Sequence, residues 1–123
     1  MADVTPRVSA DALIIQSYSP QGFRISNKDY AGAILIAAGQ IHPVSATSPA
    51  QLGYEHFKPL RGLNVTYLII GCGPRAMMPP LTMLRELKDM GIVAEAMSTG
   101  AACRTYNVLL AEQRPVAALL LPG

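Results

Sequence analysis

The segment best equipped for chemistry is Thr99-Gly100-Ala101-Ala102-Cys103-Arg104-Thr105-Tyr106-Asn107. It opens a predicted helix, and the unpaired N–H groups of a helix N-terminus, with the dipole behind them, favour an anion. Arg104 and Asn107 stand three apart and share a face distinct from the apolar one. A second loop, Gly71-Cys72-Gly73-Pro74-Arg75-Ala76, brings another cation, Arg75. Two arginines over a helix N-terminus suit a carboxylate or a phosphate. Gly71, Gly73, Arg75, Thr99, Gly100, Cys103, Arg104 and Asn107 are therefore the candidate binding residues, with a small anion as the possible ligand. A plainer reading stands beside it, in which Thr99 caps the helix and the arginines pair with carboxylates.

Other chemistry finds less support. Cys103 in the first turn of a helix, next to Arg104, is expected to have a lowered pKa, which allows a reactive thiol. The favoured reading is a small, inert core residue, the commoner role of free cysteine. Neither Cys72 nor Cys103 has a Cys or His at ligand spacing, so no metal is expected. The run from Gly71 to Ala76 fits G-x-G-x-x-A after a strand, but Pro79-Pro80 delays the helix beyond the motif and no acid ends the next strand. A tight turn with glycines at positive φ explains it as well, and no cofactor is expected. His42 and His56 lie outside both loops, so no nucleophile–base pair is readable and no catalytic residue is named. Glu95, in a buried-looking strand, is expected to point outward or to pair with an arginine. Arg24, between Phe23 and Ile25, is assigned to the solvent face of a strand.

The elements that position these loops follow from periodicity. Strands are expected over residues 12–17, 23–25, 31–38 and 41–44, with turns over 18–22, at 27–29 and at Gly39-Gln40, together a β-meander. Ser48-Pro49 predicts the start of a short helix through Leu52, Glu55 and Phe57, weakened by Gly53. Then come a strand over 64–70, a helix over 80–90 stopped by Gly91, a strand over 92–97, a helix over 101–112 and a strand over 115–121. Met83, Leu84, Leu87 and Met90 form one helical apolar face, and Ala102, Tyr106, Leu109 and Leu110 the other. Strand–helix–strand–helix–strand order implies right-handed crossovers and parallel neighbours, with ligands beyond the carboxyl ends of the strands, at residues 71–79 and 98–102. The meander is expected to supply the remaining layer.

The 123 residues suit a single domain, 1–123. Half the chain is hydrophobic and only 15% is charged, against about 25% in ordinary domains. So apolar a surface favours a protein partner or a homo-oligomer. The net charge is only +2 and the basic residues are scattered, so nucleic acid is not expected. No apolar run is long enough for membrane insertion. Met-Ala-Asp-Val-Thr-Pro-Arg at the N-terminus is not a basic segment leading into an apolar one. That favours a cytoplasmic location, or a mitochondrial one if a transit peptide has been removed.

Residues 97–109, Met-Ser-Thr-Gly-Ala-Ala-Cys-Arg-Thr-Tyr-Asn-Val-Leu, together with Gly22-Phe23-Arg24-Ile25, Tyr30, Gly32, Ile69-Ile70-Gly71-Cys72-Gly73 and Pro79-Pro80, resemble the signature of a small-domain family. It is the uncharacterised family that includes a mitochondrial respiratory complex I assembly factor and an adipogenesis-associated domain protein. The resemblance covers nearly the whole chain. It implies an α/β layered sandwich with a central mixed, mostly parallel sheet, helices packed on it, and the N-terminal β-meander. It also implies protein binding during complex assembly rather than an enzyme activity. The chain departs from the pattern at Ser98, where relatives often carry Asp, and near His42-Pro43, where they often carry Trp. Two function classes follow: a protein-interaction and assembly domain, or a binder of small molecules or anions (or a weak enzyme) using the loops after strands 65–70 and 92–97.

Overall fold

The computed structural model describes residues 13–123. The first position of the predicted strand over 12–17 and the N-terminal stretch read for a leader lie outside the described residues. β1 (Ile15–Ser19), β2 (Gly22–Ile25) and β3 (Lys28–Ala31) form a three-stranded antiparallel sheet. Its β2–β3 turn is centred on Ser26 and Asn27, at φ 47° and 70°. Two successive positive φ values match the right-handed twist of a two-residue hairpin. Lys28 and Asp29, expected in a turn, therefore begin a strand.

The meander does not stay together as one layer. Gly32, at φ +76°, ends it, and β4 (Ala33–Ala37) and β5 (Gln40–Val44) pass into a second sheet. β4 is buried at all five positions, which requires a neighbour on either side and cover on both faces. It pairs antiparallel with β5 and with β8 (Val116–Leu120). β6 (Tyr67–Gly71) lies parallel to both β8 and β7 (Val93–Met97). The order β5-β4-β8-β6-β7 leaves β7 at one edge.

The helix predicted from Ser48 is broken. A 3-10 turn at Pro49–Gln51, the short α1 (Tyr54–Phe57) and another 3-10 turn at Lys58–Leu60 take its place. Gly53 is fully extended and interrupts them, and its N–H donates to Nδ1 of His56 at 3.1 Å. His56 thus braces a helix start rather than standing free on a surface. α2 (Leu81–Asp89) and α3 (Thr99–Ala111) match the two predicted crossover helices within two residues.

Three layers result. One face of the central sheet carries Leu35, Leu68, Ile70 and Leu119 against Phe57, Leu60, Met83 and Leu87 of the α1 region and α2. The other carries Ile34, Ile36, Ile69 and Leu120 against Ala102, Cys103 and Tyr106 of α3, and against Ile15, Phe23 and Ile25 of the small sheet. This is the layered α/β sandwich with a mixed sheet that the sequence implies.

Candidate functional site

The carboxyl ends of β6, β7 and β8 meet where such sheets usually take ligands, and the chain itself fills that crevice. Thr99 is fully buried. Its backbone N–H donates to the Gly73 carbonyl at 2.8 Å, and its Oγ1 accepts the Gly73 N–H at 2.8 Å. The same hydroxyl donates to the Leu121 carbonyl at 2.5 Å. The helix cap is Ser98, whose hydroxyl accepts the Ala101 N–H at 3.3 Å. The expectation that Thr99 caps α3 is corrected accordingly: one residue further in, its hydroxyl faces the sheet and clamps the loop after β6 to the chain after β8.

The two glycines of the first loop differ. Gly73 has φ +99°, as a tight turn requires. Gly71 is ordinary strand backbone, but a Cβ there would stand 2.9 Å from Leu120 Cδ2 and 3.2 Å from Thr99 Cα. It allows α3 to approach the sheet closely. At Gly100 a side chain would overlap the Tyr18 phenol, so this glycine admits β1 over the start of α3.

Asn107 also meets β1. Its Oδ1 accepts the Ile15 N–H at 3.0 Å and its Nδ2 donates to the Ile15 carbonyl at 2.8 Å. One side chain thereby satisfies both backbone groups of a strand residue. Arg104 is exposed and makes no ion pair among the described residues. With Tyr18, Ser17, Cys103 and Asn107 it lines a cleft of about 280 Å³. Arg75 is exposed in the first loop and is not among the residues lining that cleft. The structure thus gathers Cys103, Arg104 and Asn107 at one cleft, sets Gly100 under the Tyr18 phenol, and assigns Gly71, Gly73 and Thr99 to the packed crevice.

Both cysteines are buried and free. Burial pushes the Cys103 thiol up to about 11, and the nearby Arg104 charge opposes this without overcoming it. The expected lowering of this pKa is corrected, because Cys103 is buried in the core with Ile15 of β1 and burial outweighs the nearby arginine, as the inert core reading of this thiol has it. Cys103 is therefore expected to resist iodoacetamide at pH 8 in the folded protein and to react once urea unfolds it, as read by mass spectrometry. Equal rates in both states would contradict this. The sign of the pH dependence also follows. The folded state holds this proton more tightly, so the thiol's contribution to stability is full below about 9 and is lost as pH rises toward 11.

Arg24 faces solvent and pairs with Asp29 at 2.8 Å. Glu95 is exposed and accepts a hydrogen bond from the Tyr67 hydroxyl rather than from an arginine. Tyr67 is pushed up to about 12, first by burial and then by Glu95, so its phenol remains a donor. Among the described residues no group of His, Cys, Asp and Glu gathers as a metal site, and no helix is long and apolar enough to cross a membrane.

A second surface escaped the sequence reading. Met77 is 51% exposed and Met78 75%. Met77 and Met78 share a groove of about 360 Å³ with Pro79, Leu84, Ala94, Glu95 and Ala96. The available signal was a pair of methionines in a proline-bounded loop, outside any helical stripe. The edge position of β7 comes from strand order and has no local signature.

A family model described as "Protein of unknown function (DUF498/DUF598)" matches residues 15–121. An uncharacterized protein of Rhodobacter capsulatus is 39% identical over 115 residues, covering 92% of this chain and 87% of that one. NADH dehydrogenase (ubiquinone) 1 alpha subcomplex assembly factor 3 of Danio rerio is 32% identical over 111 residues. That match takes in 89% of this chain but 64% of the assembly factor, so the chain spans about two thirds of that relative. A crystal structure described as an outer membrane protein from Bartonella henselae superposes with a TM-score of 0.83 at 34% identity, covering 89% of this chain and 94% of that one.

Proposed function

The chain belongs to the DUF498/DUF598 family of proteins of unknown function, and from that premise we propose that it is a non-catalytic protein-interaction domain assisting assembly of a respiratory, complex I-like complex. The observation that carries this reading is the exposure of Met77 and Met78 along one groove that continues over Pro79, Leu84, Ala94 and Ala96. Apolar side chains grouped in this way lose favourable burial unless a partner covers them. Methionine, unbranched and polarizable, suits a surface that must fit a partner's contour. The name of the Danio rerio relative supplies the kind of assembly. Capture of the tagged protein from its native cells at low salt is expected to enrich respiratory-complex subunits or their assembly proteins. A preparation free of them contradicts the reading.

One observation favours a second reading. Arg104 stands at a cleft without an ion pair among the described residues, which fits a small anion. Phosphate at ten times its dissociation constant would then stabilise the protein by about 1.4 kcal/mol, a rise of a few degrees in melting temperature. Arg104→Ala is expected to abolish that rise while changing the phosphate-free melting point little. An identical rise in both forms contradicts an anion site here.

A further inference from the structure

β7 is an edge strand with hydrogen-bonding capacity to spare. Val93 donates its N–H to the Thr66 carbonyl and Met97 accepts the Cys72 N–H, so in this parallel ladder the odd-numbered residues of β7 turn their backbone groups toward β6. The N–H and C=O of Ala94 and Ala96 therefore point away from the sheet, and among the described residues no strand pairs with that side. The methionine groove runs beside the same two alanines. Between them lies Glu95, whose carboxylate is the only charge among the groove's lining residues.

We infer that β7 takes an extended segment of a partner protein by strand addition, and that this segment carries a lysine or arginine opposite Glu95 between apolar residues. The inference rests on the interaction reading above and names the partner's chemistry. Backbone bonds to Ala94 and Ala96 supply affinity, as edge pairing does in general. The methionine groove receives apolar side chains, and the charge at Glu95 sets the choice. Cross-strand neighbours of opposite charge attract and like charges repel. That rule disfavours a second copy of this chain. The antiparallel two-fold register that pairs Ala94 with Ala96 of the other copy, and so uses all four free groups, sets the two Glu95 carboxylates opposite each other. A lone charge on an edge strand also discourages random self-pairing.

The test uses synthetic capped peptides with a threonine–valine–lysine–valine–threonine sequence, the same with glutamate for lysine, and a lysine version N-methylated at alternate residues. Amide exchange of the intact protein is followed by NMR. The lysine peptide, at twice its dissociation constant, is expected to slow exchange at Ala94 and Ala96 by about threefold, with the glutamate and N-methylated peptides inert. Glu95→Lys is expected to reverse the preference, so that the glutamate peptide protects the same amides. Three results overturn strand addition: no protection with any peptide, protection indifferent to peptide charge, or protection that appears without peptide as protein concentration rises. If any of these holds while respiratory-complex subunits are still captured from cells, strand addition fails and the interaction reading stands.

Discussion

Thr99→Val is expected to cost about 2–5 kcal/mol of stability, because it leaves two buried backbone groups without partners at once. Valine fills the same volume, so no cavity contributes. What is lost is one hydroxyl that accepts from the Gly73 N–H and donates to the Leu121 carbonyl. Each orphaned buried group carries a desolvation cost of about 1–3 kcal/mol. For a chain of this length that is a fall in melting temperature of about 8–20 °C. Thr99→Ser keeps the hydroxyl and should lose about 1 kcal/mol, for the missing methyl. Calorimetry of the three forms checks this, and amide exchange at Gly73 should rise selectively in the valine form. A valine form melting within about 2 °C of the wild type would show that the clamp contributes little to stability.

The same clamp shows why part of the site was legible and part was not. The segment around Arg104 stands out because residue types and spacing are local properties, and α3 begins within two residues of its expected start. What each residue does depends on distant chain. Thr99 looks like a cap until β8 brings Leu121 to it, and Asn107 looks like a ligand-binding amide until β1 lies across it, 92 residues earlier in the chain. Cys103 looks activated because the sequence records its charged neighbour but not the burial that outweighs it.

The fold divides similarly. The helices and parallel strands of the second half follow from periodicity, with Gly91 at φ +78° closing α2. The first half misleads because Ser26-Asn27 makes its hairpin turn without a glycine, and because Gly32 ends a sheet where the apolar pattern runs on. Val93-Ala94-Glu95-Ala96-Met97 reads as interior from its composition. Its exposure is decided by the order of strands in the sheet, to which every other strand contributes.

Met78→Glu is expected to reduce partner capture about tenfold or more. Its side chain is 75% exposed, so the substitution should change stability by no more than about 0.5 kcal/mol. Covered by a partner, the same carboxylate would be stripped of water with no cation beside it among the groove's lining residues. A penalty above about 1.4 kcal/mol, tenfold in affinity, is ordinary for a central contact. Arg24→Ala, on the small sheet, removes only an exposed ion pair with Asp29 and should leave capture unchanged.

Side-by-side capture of respiratory-complex subunits from native cells by the wild-type, Arg24→Ala and Met78→Glu proteins, quantified at equal bait recovery, decides whether the methionine face is the working surface. The expected result is enrichment by the first two and about a tenth as much by the third. Undiminished capture by Met78→Glu, or none by the wild type, contradicts it.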